Sequence, residues 1–298
     1  MKNLLLVKFL ITLLSVIFLS KTSAQVKCKI ENYATEDGLS HDVIRDIIKD
    51  REGFMWFATW NGINRFDGKN FVTYKAIAGD NSSLSNNRID IIKEDAFGYI
   101  WLRVYDNQIY RFDKRTESFL SIAAILGTTK IEFDNIITDN KGNVWLTTIG
   151  SGIFFAQKRA NNQIKITHFE ENLRNNSLSS NNLNFVLKDS DYSIWVGSEK
   201  GLDYISNSKK GYKSNTILKN NNIKCCFVQG NNAWFGTDDG VLIHYSKIQK
   251  KYKKTTIAKT AINAIIKSKN ENLLLITTSD GELITFNPLT SKTESSLK

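Results

Sequence analysis

The sequence predicts an all-β fold of repeated four-stranded antiparallel units, and three observations support this prediction. Five of the six tryptophans recur along the chain at intervals of 45, 44, 50 and 39 residues. Most of these tryptophans follow an Asp-x-x-Gly turn signal and precede a second turn signal that ends in Gly. The segments between the turns are rich in the aromatic and β-branched residues that favour strands. Repetition at this period is typical of stacked repeat architectures.

The first repeat shows how each element is predicted. Asp50 and Gly53 occupy the first and fourth positions of a turn, as a type I turn prefers. Trp56 follows in a strand, and Gly62 ends the next turn. Two hairpin turns therefore bracket one short strand, and strand-forming segments lie on either side. The four strands are expected at residues 43–48, 54–57, 63–66 and 71–74.

Residues that recur at one place in every repeat are interpreted as structural. An aromatic residue at a fixed strand position is typical of packing between units, and an Asp at a fixed turn position is typical of turn formation. The sixth repeat has Leu275 at the tryptophan position. The recurring tryptophans are Trp56, Trp101, Trp145, Trp195 and Trp234, and the recurring aspartates are Asp50, Asp95, Asp139 and Asp189.

A single four-stranded unit of this size cannot bury both faces of its sheet, so neighbouring units must cover them. Radial stacking of the units into a β-propeller satisfies this need. Residues 29–35 precede the first repeat like an outermost strand without a blade of its own. This favours a seven-bladed ring of which six repeats are visible, and a six-bladed ring is the alternative. The six blades are expected at about 37–80, 81–120, 121–170, 177–215, 216–255 and 256–296.

The N-terminal segment is interpreted as a secretory signal. Lys2 is followed by an apolar run over residues 9–19 and then by Thr22, Ser23 and Ala24, a small-residue cleavage site. The apolar run is shorter than the roughly 20 residues that a membrane span needs. Residues 1–24 are therefore expected to be a signal peptide, and residues 25–298 an exported propeller domain in an extracytoplasmic compartment.

Composition and motif content narrow the function classes. The chain has 40 Lys and Arg against 30 Asp and Glu, a net charge of +10, and 41% hydrophobic residues, enough for a packed core. It contains no nucleotide-binding, hydrolase or metalloprotease motif, and His41, His168 and His244 lie at unrelated repeat positions. No catalytic residue, metal site or cofactor is predicted, and nucleic acid is not an expected partner. The basic excess fits either an acidic glycan partner or a Lys-rich background.

The segment from Gly38 to Asp67 resembles the two-component regulator propeller repeat. It combines a Gly-Leu-Ser leader, the Asp-x-x-Gly turn, the aromatic strand, the Thr-x-x-Gly turn and a following strand that ends in Phe. Residues 83–113 and 177–204 resemble the same repeat with decreasing fidelity. Together with the later copies, the resemblance covers nearly all of residues 25–298.

The resemblance implies the periplasmic sensory region of a hybrid two-component regulator, of a kind that often controls the use of complex carbohydrates. Such regulators also have an immunoglobulin-like module, a membrane helix, a histidine kinase, a receiver and a helix-turn-helix domain, and this sequence carries none of them. The chain is therefore expected to be a sensor fragment without enzyme activity of its own. Its partners are expected to include the missing downstream modules, and membrane anchoring is expected only through the missing C-terminal part.

Three residues near the turns depart from the repeat and are candidate ligand contacts. Trp60 lies where other copies have Glu, Asp or Ser, and Arg103 and Tyr105 replace small or polar residues. Aromatic and basic side chains suit an oligosaccharide, which stacks on flat rings and hydrogen-bonds to charged groups. A locally different turn is the simpler interpretation and stays open.

The predicted function is sensing of a glycan or oligosaccharide. An exported propeller-fold lyase or hydrolase that degrades polysaccharides is the alternative, and a protein-interaction scaffold is a third hypothesis. Unpaired sheet edges at an incomplete ring favour association with a second copy of the chain, so a homodimer is also expected.

Overall fold

The protein is represented by a computed structural model whose chain divides into the units Met1–Tyr33 and Ala34–Lys298. In the described part of the first unit, the Tyr33 hydroxyl donates a hydrogen bond to Glu31 at 2.8 Å. The predicted signal peptide, residues 1–24, lies outside the described residues. The structure describes residues 30–80, 83–159, 163–172, 176–209, 211–269 and 272–297.

The second unit contains six sheets, each built from four consecutive antiparallel strands paired in sequence order. The prediction of an all-β propeller with four-stranded blades is therefore confirmed. Each sheet is called a blade below. Blade 1 contains β1 (Ile44–Lys49), β2 (Met55–Thr59), β3 (Gly62–Phe66) and β4 (Phe71–Tyr74); blade 2 contains β5 (Ile89–Glu94), β6 (Ile100–Val104), β7 (Ile109–Asp113) and β8 (Ser118–Ser121); blade 3 contains β9 (Phe133–Thr138), β10 (Asn143–Thr148), β11 (Ile153–Lys158) and β12 (Ile164–Glu171), extended by β13 (Ser177–Leu178). Blade 4 contains β14 (Leu183–Lys188), β15 (Ile194–Ser198), β16 (Gly201–Ser208) and β17 (Gly211–Lys219); blade 5 contains β18 (Ile223–Gln229), β19 (Asn232–Thr237), β20 (Val241–Ser246) and β21 (Lys251–Thr256); blade 6 contains β22 (Ile262–Lys267), β23 (Leu274–Thr278), β24 (Leu283–Asn287) and β25 (Lys292–Leu297).

A short helix, α1 (Ile122–Leu126), connects blade 2 to blade 3. It begins after Ser121, whose hydroxyl accepts a hydrogen bond from the N–H of Ala124 at 3.3 Å, as N-cap residues do. It ends before Gly127, which has a φ of 69°. It is a short helix outside the sheets, and the described residues contain no other α-helix.

The expected outermost strand at residues 29–35 is not formed. Residues 30–34 have no regular secondary structure, and Thr35–Asp37 form a 3-10 turn. The carboxylate of Asp37 accepts a hydrogen bond from the N–H of Ala34 at 2.8 Å, and Gly38 ends the turn with a φ of 104°. Local capping of this turn uses the backbone groups that a strand would need.

Two strand positions differ from the expected blade boundaries. The pair Ser177–Leu178, expected to open blade 4, pairs in parallel with β12 of blade 3. Strand β17 continues to Lys219, beyond the expected boundary at about 215. Both differences arise at the crossings between blades, where the turn signals of the repeat give no information.

The recurring tryptophans pack each blade against the next one. Trp56 of β2 packs with Ile89, Ile92 and Leu102 of blade 2. Equivalent hydrophobic clusters join blades 2 and 3, 3 and 4, 4 and 5, and 5 and 6. The core of the described residues therefore lies between blades. The exposed fraction is 0% for Trp56, Trp145 and Trp195, 2% for Trp101 and 7% for Trp234.

Within the described residues, no such cluster covers the outer face of blade 1 or of blade 6. On blade 1, the rings of Phe66 and Phe71 stack at 4.5 Å, and Phe57 lies 5.9 Å from Phe71. On blade 6, Leu275 at the tryptophan position is half-buried. Whether the ring has six or seven blades stays a prediction.

The recurring aspartates bind both the turn and the tryptophan of their own blade. Oδ1 of Asp50 accepts hydrogen bonds from the N–H groups of Glu52 and Phe54 at 3.0 and 2.9 Å. Oδ2 accepts a hydrogen bond from the indole N–H of Trp56 at 2.8 Å. One carboxylate thus fixes the turn and orients the ring that packs on the next blade. The same bond joins Asp95 to Trp101 and Asp189 to Trp195, at 2.8 and 2.9 Å.

Blade 3 departs from this arrangement. The side-chain amide of Asn143 donates a hydrogen bond to Oδ2 of Asp139 at 2.6 Å and takes the place of the indole. The buried Nε1 of Trp145 has no hydrogen-bond partner in the part of the chain that the structure describes. Its ring is instead held by stacking on Phe155 at 4.1 Å.

Lysines from the following blade reach two of these aspartates. Nζ of Lys114, after β7, lies 3.0 Å from Asp50, and Nζ of Lys247, after β20, lies 2.8 Å from Asp189. Burial raises the pKa of Asp50, but the hydrogen bonds from Trp56 and Lys114 outweigh this effect and hold its pKa below the usual range. These pairs therefore connect blades electrostatically at the same end as the first turn of each repeat.

A second buried network lies at the other end of the blades. In blade 4, Asp203 accepts hydrogen bonds from the N–H and hydroxyl of Ser179 and from the hydroxyl of Thr216, at 2.7, 3.0 and 2.8 Å. In blade 1, Asn64 holds the same position: its Oδ1 accepts hydrogen bonds from the N–H of Ser40 and the hydroxyl of Thr73, and its Nδ2 donates one to the hydroxyl of Ser40. An amide therefore fits this network as well as a carboxylate does.

Replacing Asp203 by Asn is expected to stabilise the domain at pH 7. Burial raises the pKa of Asp203, so its ionised form is less stable in the folded than in the unfolded protein. The stability contributed by this carboxyl is present below its unfolded pKa of about 3.8 and is lost as pH rises through the folded pKa. Thermal unfolding should show a gain for Asp203→Asn that is larger at pH 7 than at pH 4.

The matched control for this prediction is Asn64→Asp, which creates the carboxylate in blade 1. Its loss of stability should likewise grow from pH 4 to pH 7. Equal effects of either substitution at both pH values would contradict the role assigned to burial of this charge.

Candidate functional site

The three sequence-predicted site residues lie together at one end of blades 1 and 2. Trp60 is in the turn between β2 and β3, and Tyr105 is in the equivalent turn between β6 and β7. Arg103 lies in β6, two residues before Tyr105. A fourth residue, Arg88, directly precedes β5. In an antiparallel blade the start of its first strand and the turn between its second and third strands lie at the same end, so these side chains converge.

The centre of the group is a stack of three side chains, called the Trp60–Arg88–Tyr105 ladder below. The guanidinium carbon of Arg88 lies 4.7 Å from the centroid of the Trp60 ring and 4.2 Å from that of the Tyr105 ring. Both distances are typical of cation–π contacts. Trp60 is 42% exposed and Tyr105 is 55% exposed. Each ring therefore uses one face for Arg88 and still presents a large surface to solvent.

The backbone fixes the position of the ladder. The N–H of Trp60 donates a hydrogen bond to the carbonyl of Val43 at 3.3 Å, and the N–H of Tyr105 donates one to the carbonyl of Arg88 at 2.9 Å. Asn107 closes the second turn with a φ of 60°, in the left-handed region that Asn tolerates best among residues with a side chain. Backbone hydrogen bonds therefore hold the turns that carry Trp60 and Tyr105.

Three guanidinium groups surround one carboxylate beside the ladder. Asp90, whose side chain is 8% exposed, lies 3.2 Å from Nε of Arg45, 3.6 Å from Nε of Arg88 and 3.6 Å from Nη2 of Arg103. Arg103 also donates a hydrogen bond through Nη1 to Asn107 at 2.6 Å. These four charged groups carry an excess of positive charge.

Two donors of this group have no hydrogen-bond acceptor among the described residues. They are the buried Nε atoms of Arg88 and Arg103. In the part of the chain that the structure describes, the guanidinium of Arg88 is held by the two rings and by Asp90 at ion-pair distance. Its Nε is buried beside Asp90, and the side chain is 32% exposed, so the terminal N–H groups are the donors that a ligand can reach.

Other polar groups border the cluster. The His41 ring lies 5.7 Å from Trp60 at 46°, and its Nδ1 accepts a hydrogen bond from the N–H of Val43. Asp42 and Asp106 are exposed carboxylates nearby in the sequence. Within the described ranges, neither lies at ion-pair distance from the three arginines.

Sequence reasoning found Trp60, Arg103 and Tyr105 but missed Arg88, although Arg88 links them. Arg88 lies 13 residues before Trp101, as Val43 lies 13 residues before Trp56. Different repeats have different types of residue at this position. An alignment of the repeats on their tryptophans shows Arg88 as a further residue that differs from its equivalents in the other repeats.

Two of the three histidines, His168 in β12 and His244 in β20, lie in blades 3 and 5 and not in this cluster. Nε2 of His168 lies 2.7 Å from the carbonyl of Ser151, and Nε2 of His244 lies 2.8 Å from Oδ1 of Asn232. Among the described residues, no three His, Cys, Asp or Glu side chains form a group that could hold a metal ion. No helix of the described chain is long and apolar enough to cross a membrane.

Four-stranded blades joined by a repeated aromatic position define the chain as a β-propeller repeat protein. Residues 38–61 match the family described as two component regulator propeller. This segment is the one whose resemblance was drawn from the leader, the two turns and Trp56. The resemblance drawn from this segment is therefore confirmed over residues 38–61.

The chain is also similar to a curated kinase and to solved propellers. Histidine kinase P4 of Formosa agariphila is 34% identical over 76 residues, which are 24% of this chain and 6% of that protein. The extracellular domain of the putative hybrid two component system BT3049 from B. thetaiotaomicron matches with a TM-score of 0.50 and 24% identity, over 89% of this chain and 36% of that chain. The dihydro-heme d1 dehydrogenase NirN matches with a TM-score of 0.56 and 13% identity, over 86% and 56%. At these identities the two structures show the fold alone.

Proposed function

We propose that this chain is an extracytoplasmic sensory propeller of a hybrid two-component regulator and that it binds an oligosaccharide at the Trp60–Arg88–Tyr105 ladder. The observation that carries the proposal is the ladder itself, two exposed aromatic rings that both contact the guanidinium of Arg88. The repeat match at residues 38–61 supports the regulator class. The chain spans 6% of the matched kinase, so the output of the whole protein is part of the proposal.

The ladder has the physical features that sugar recognition requires. A pyranose ring presents a face of C–H groups, which packs on an aromatic ring, and an edge of hydroxyls, which accept and donate hydrogen bonds. Tyr105 is 55% exposed although one of its faces lies on Arg88, so the other face is open to such packing. The guanidinium carbon of Arg88 lies 4.2 Å from the centroid of the Tyr105 ring, which places hydrogen-bond donors beside the aromatic surface.

Exposed aromatic residues at the ladder are expected to contribute binding energy. Tyr105→Ala and Trp60→Ala should each weaken oligosaccharide binding by up to about tenfold, because an aromatic contact contributes about 0.5–1.5 kcal/mol. Isothermal titration calorimetry against oligosaccharides from partial hydrolysis of plant and algal polysaccharides measures the effect.

The matched control is Tyr252→Ala. Tyr252 is 46% exposed on β21 of blade 5, far along the chain from the ladder. This variant should bind like the unchanged protein. If all three variants bind with equal affinity, the ladder is not the ligand site.

The alternative functions give different results in the same preparation. A polysaccharide-degrading enzyme releases new reducing ends or unsaturated products from the oligosaccharides, whereas a sensor binds them unchanged. A protein-interaction scaffold binds none of them. Assays for both products during the titration therefore separate the three hypotheses.

A further inference from the structure

We infer that the ladder selects oligosaccharides that carry an anionic group, a carboxylate or a sulfate ester, with Arg88 and Arg45 as the anchoring residues. This inference rests on the proposed function, because it names the chemical class of ligand for the same site. It follows from the charge balance, the fixed orientation of Arg88 and its open donors.

The charge balance at the ladder is positive. Arg45, Arg88 and Arg103 converge on the single carboxylate of Asp90, at 3.2, 3.6 and 3.6 Å. One carboxylate neutralises one of these three cations. The side chains of Arg45 and Arg88 are 46% and 32% exposed, so the excess charge faces solvent. An anionic ligand group complements it.

Arg88 is fixed in the orientation that anion recognition needs. Its guanidinium carbon lies 4.7 Å from the centroid of the Trp60 ring and 4.2 Å from that of the Tyr105 ring. Two aromatic contacts and Asp90 at 3.6 Å therefore hold the group in place. A guanidinium edge binds a carboxylate or sulfate through two parallel hydrogen bonds. Because the rings hold the side chain in place, little side-chain entropy remains to be lost on binding.

Arginines with a structural role in this chain behave differently. Arg115 pairs with Asp113 through both Nε and Nη2, at 3.5 and 3.3 Å, and Arg51 donates a hydrogen bond to the carbonyl of Ala96. The guanidinium of Arg88 has no such hydrogen bond among the described residues. Its terminal donors are therefore not committed to an acceptor in the described part of the chain.

The test uses pairs of oligosaccharides that differ only in charge. Oligogalacturonides are compared with their methyl esters, and sulfated carrageenan oligosaccharides with their desulfated forms, by isothermal titration calorimetry at two salt concentrations. At least one anionic member is expected to bind about tenfold or more tightly than its neutral partner. The difference should shrink as salt screens the charges.

Variants assign the preference to residues. Arg88→Gln and Arg45→Gln should each reduce the preference for the anionic member, measured within each variant as the ratio of its affinities for the anionic and the neutral member. Arg115→Gln removes the same charge at a side chain that is 73% exposed in the turn between β7 and β8, and it should keep the preference. Circular dichroism melts of each variant confirm that the fold is retained; if Arg88→Gln does not fold, the exposed Arg45 variant still decides the question.

Each outcome bears on the inference. If neutral and anionic members bind equally, the inference is wrong and the proposed oligosaccharide sensor stands. If neither class binds, both are wrong. If Arg115→Gln removes the preference as fully as Arg88→Gln does, the effect comes from overall charge and the anchoring role is wrong.

Discussion

Replacing Lys114 by methionine is expected to lower the free energy of unfolding by about 3 kcal/mol, the low end for breaking a buried ion pair. Its ammonium lies 3.0 Å from Asp50 and 2.9 Å from Glu94, and its side chain is 8% exposed. The Asp50 side chain is 0% exposed. Without the lysine, two nearly buried carboxylates remain between blades 1 and 2 with no cation between them.

The remaining bonds of Asp50 limit this loss but do not remove it. The indole of Trp56 and the N–H groups of Glu52 and Phe54 continue to bind the carboxylate. These donors are dipoles, and the lysine supplies the full opposite charge. The loss should therefore be smaller in Lys114→Met combined with Asp50→Asn than the sum of the two single effects.

Lys93→Met is the matched control for this experiment. Lys93 also connects the two blades, with its Nζ 2.9 Å from Asp46, but the two side chains are 38% and 24% exposed. An exposed pair contributes about 1 kcal/mol or less. Urea unfolding of the two variants measures the difference, and equal losses would show that burial does not set the strength of these pairs.

The sequence predicts the fold well because its signals are local. Asp50 and Gly53 define one turn, Gly62 defines the next, and Trp56 marks the strand between them. Each signal acts within a few residues, and repetition makes the pattern unambiguous. The strand at residues 29–35 was predicted wrongly because its partner was assumed, whereas Asp37 caps a local turn there.

The role of the aspartates was only half predicted. A turn preference explains why Oδ1 of Asp50 binds two backbone N–H groups. It does not reveal that Oδ2 binds an indole six residues later, because that bond depends on how the strand leaves the turn. Trp145 does not follow this pattern, because the side-chain amide of Asn143, and not the indole, donates a hydrogen bond to Asp139 in blade 3.

The candidate site could be predicted only in part for a related reason. Trp60 and Tyr105 were visible as departures from the repeat, but their meeting point, Arg88, comes from a position that the repeat leaves variable. The convergence of Arg45 on Asp90 joins the first strands of two different blades. Such contacts depend on the spacing of blades and on side-chain reach, which the periodicity of one repeat does not specify.

The largest effect of a single truncation is expected at Trp195. Its ring fills the space between blades 4 and 5 and also donates a hydrogen bond to the carboxylate of Asp189. Trp195 is 0% exposed and packs with Leu202 of its own blade and with Ile223 and Phe235 of blade 5. Trp195→Ala should lower the free energy of unfolding by about 3–5 kcal/mol, the usual loss for a buried aromatic residue. It also leaves Asp189 without the indole donor that lies at 2.9 Å.

Trp60→Ala is the control for this truncation, because it removes the same side chain from a position that is 42% exposed. Its cost should be less than about 1 kcal/mol, since the ring contacts Arg88 at the surface and fills no seam. Trp195→Phe keeps most of the volume but loses the N–H, so its loss should fall between the two. Trp145→Phe then isolates the hydrogen bond. Because Nε1 of Trp145 has no partner among the described residues, the same change there should cost less than at Trp195. If Trp195→Phe and Trp145→Phe are equally destabilising in urea unfolding, the Asp189 hydrogen bond contributes nothing and packing alone holds these seams.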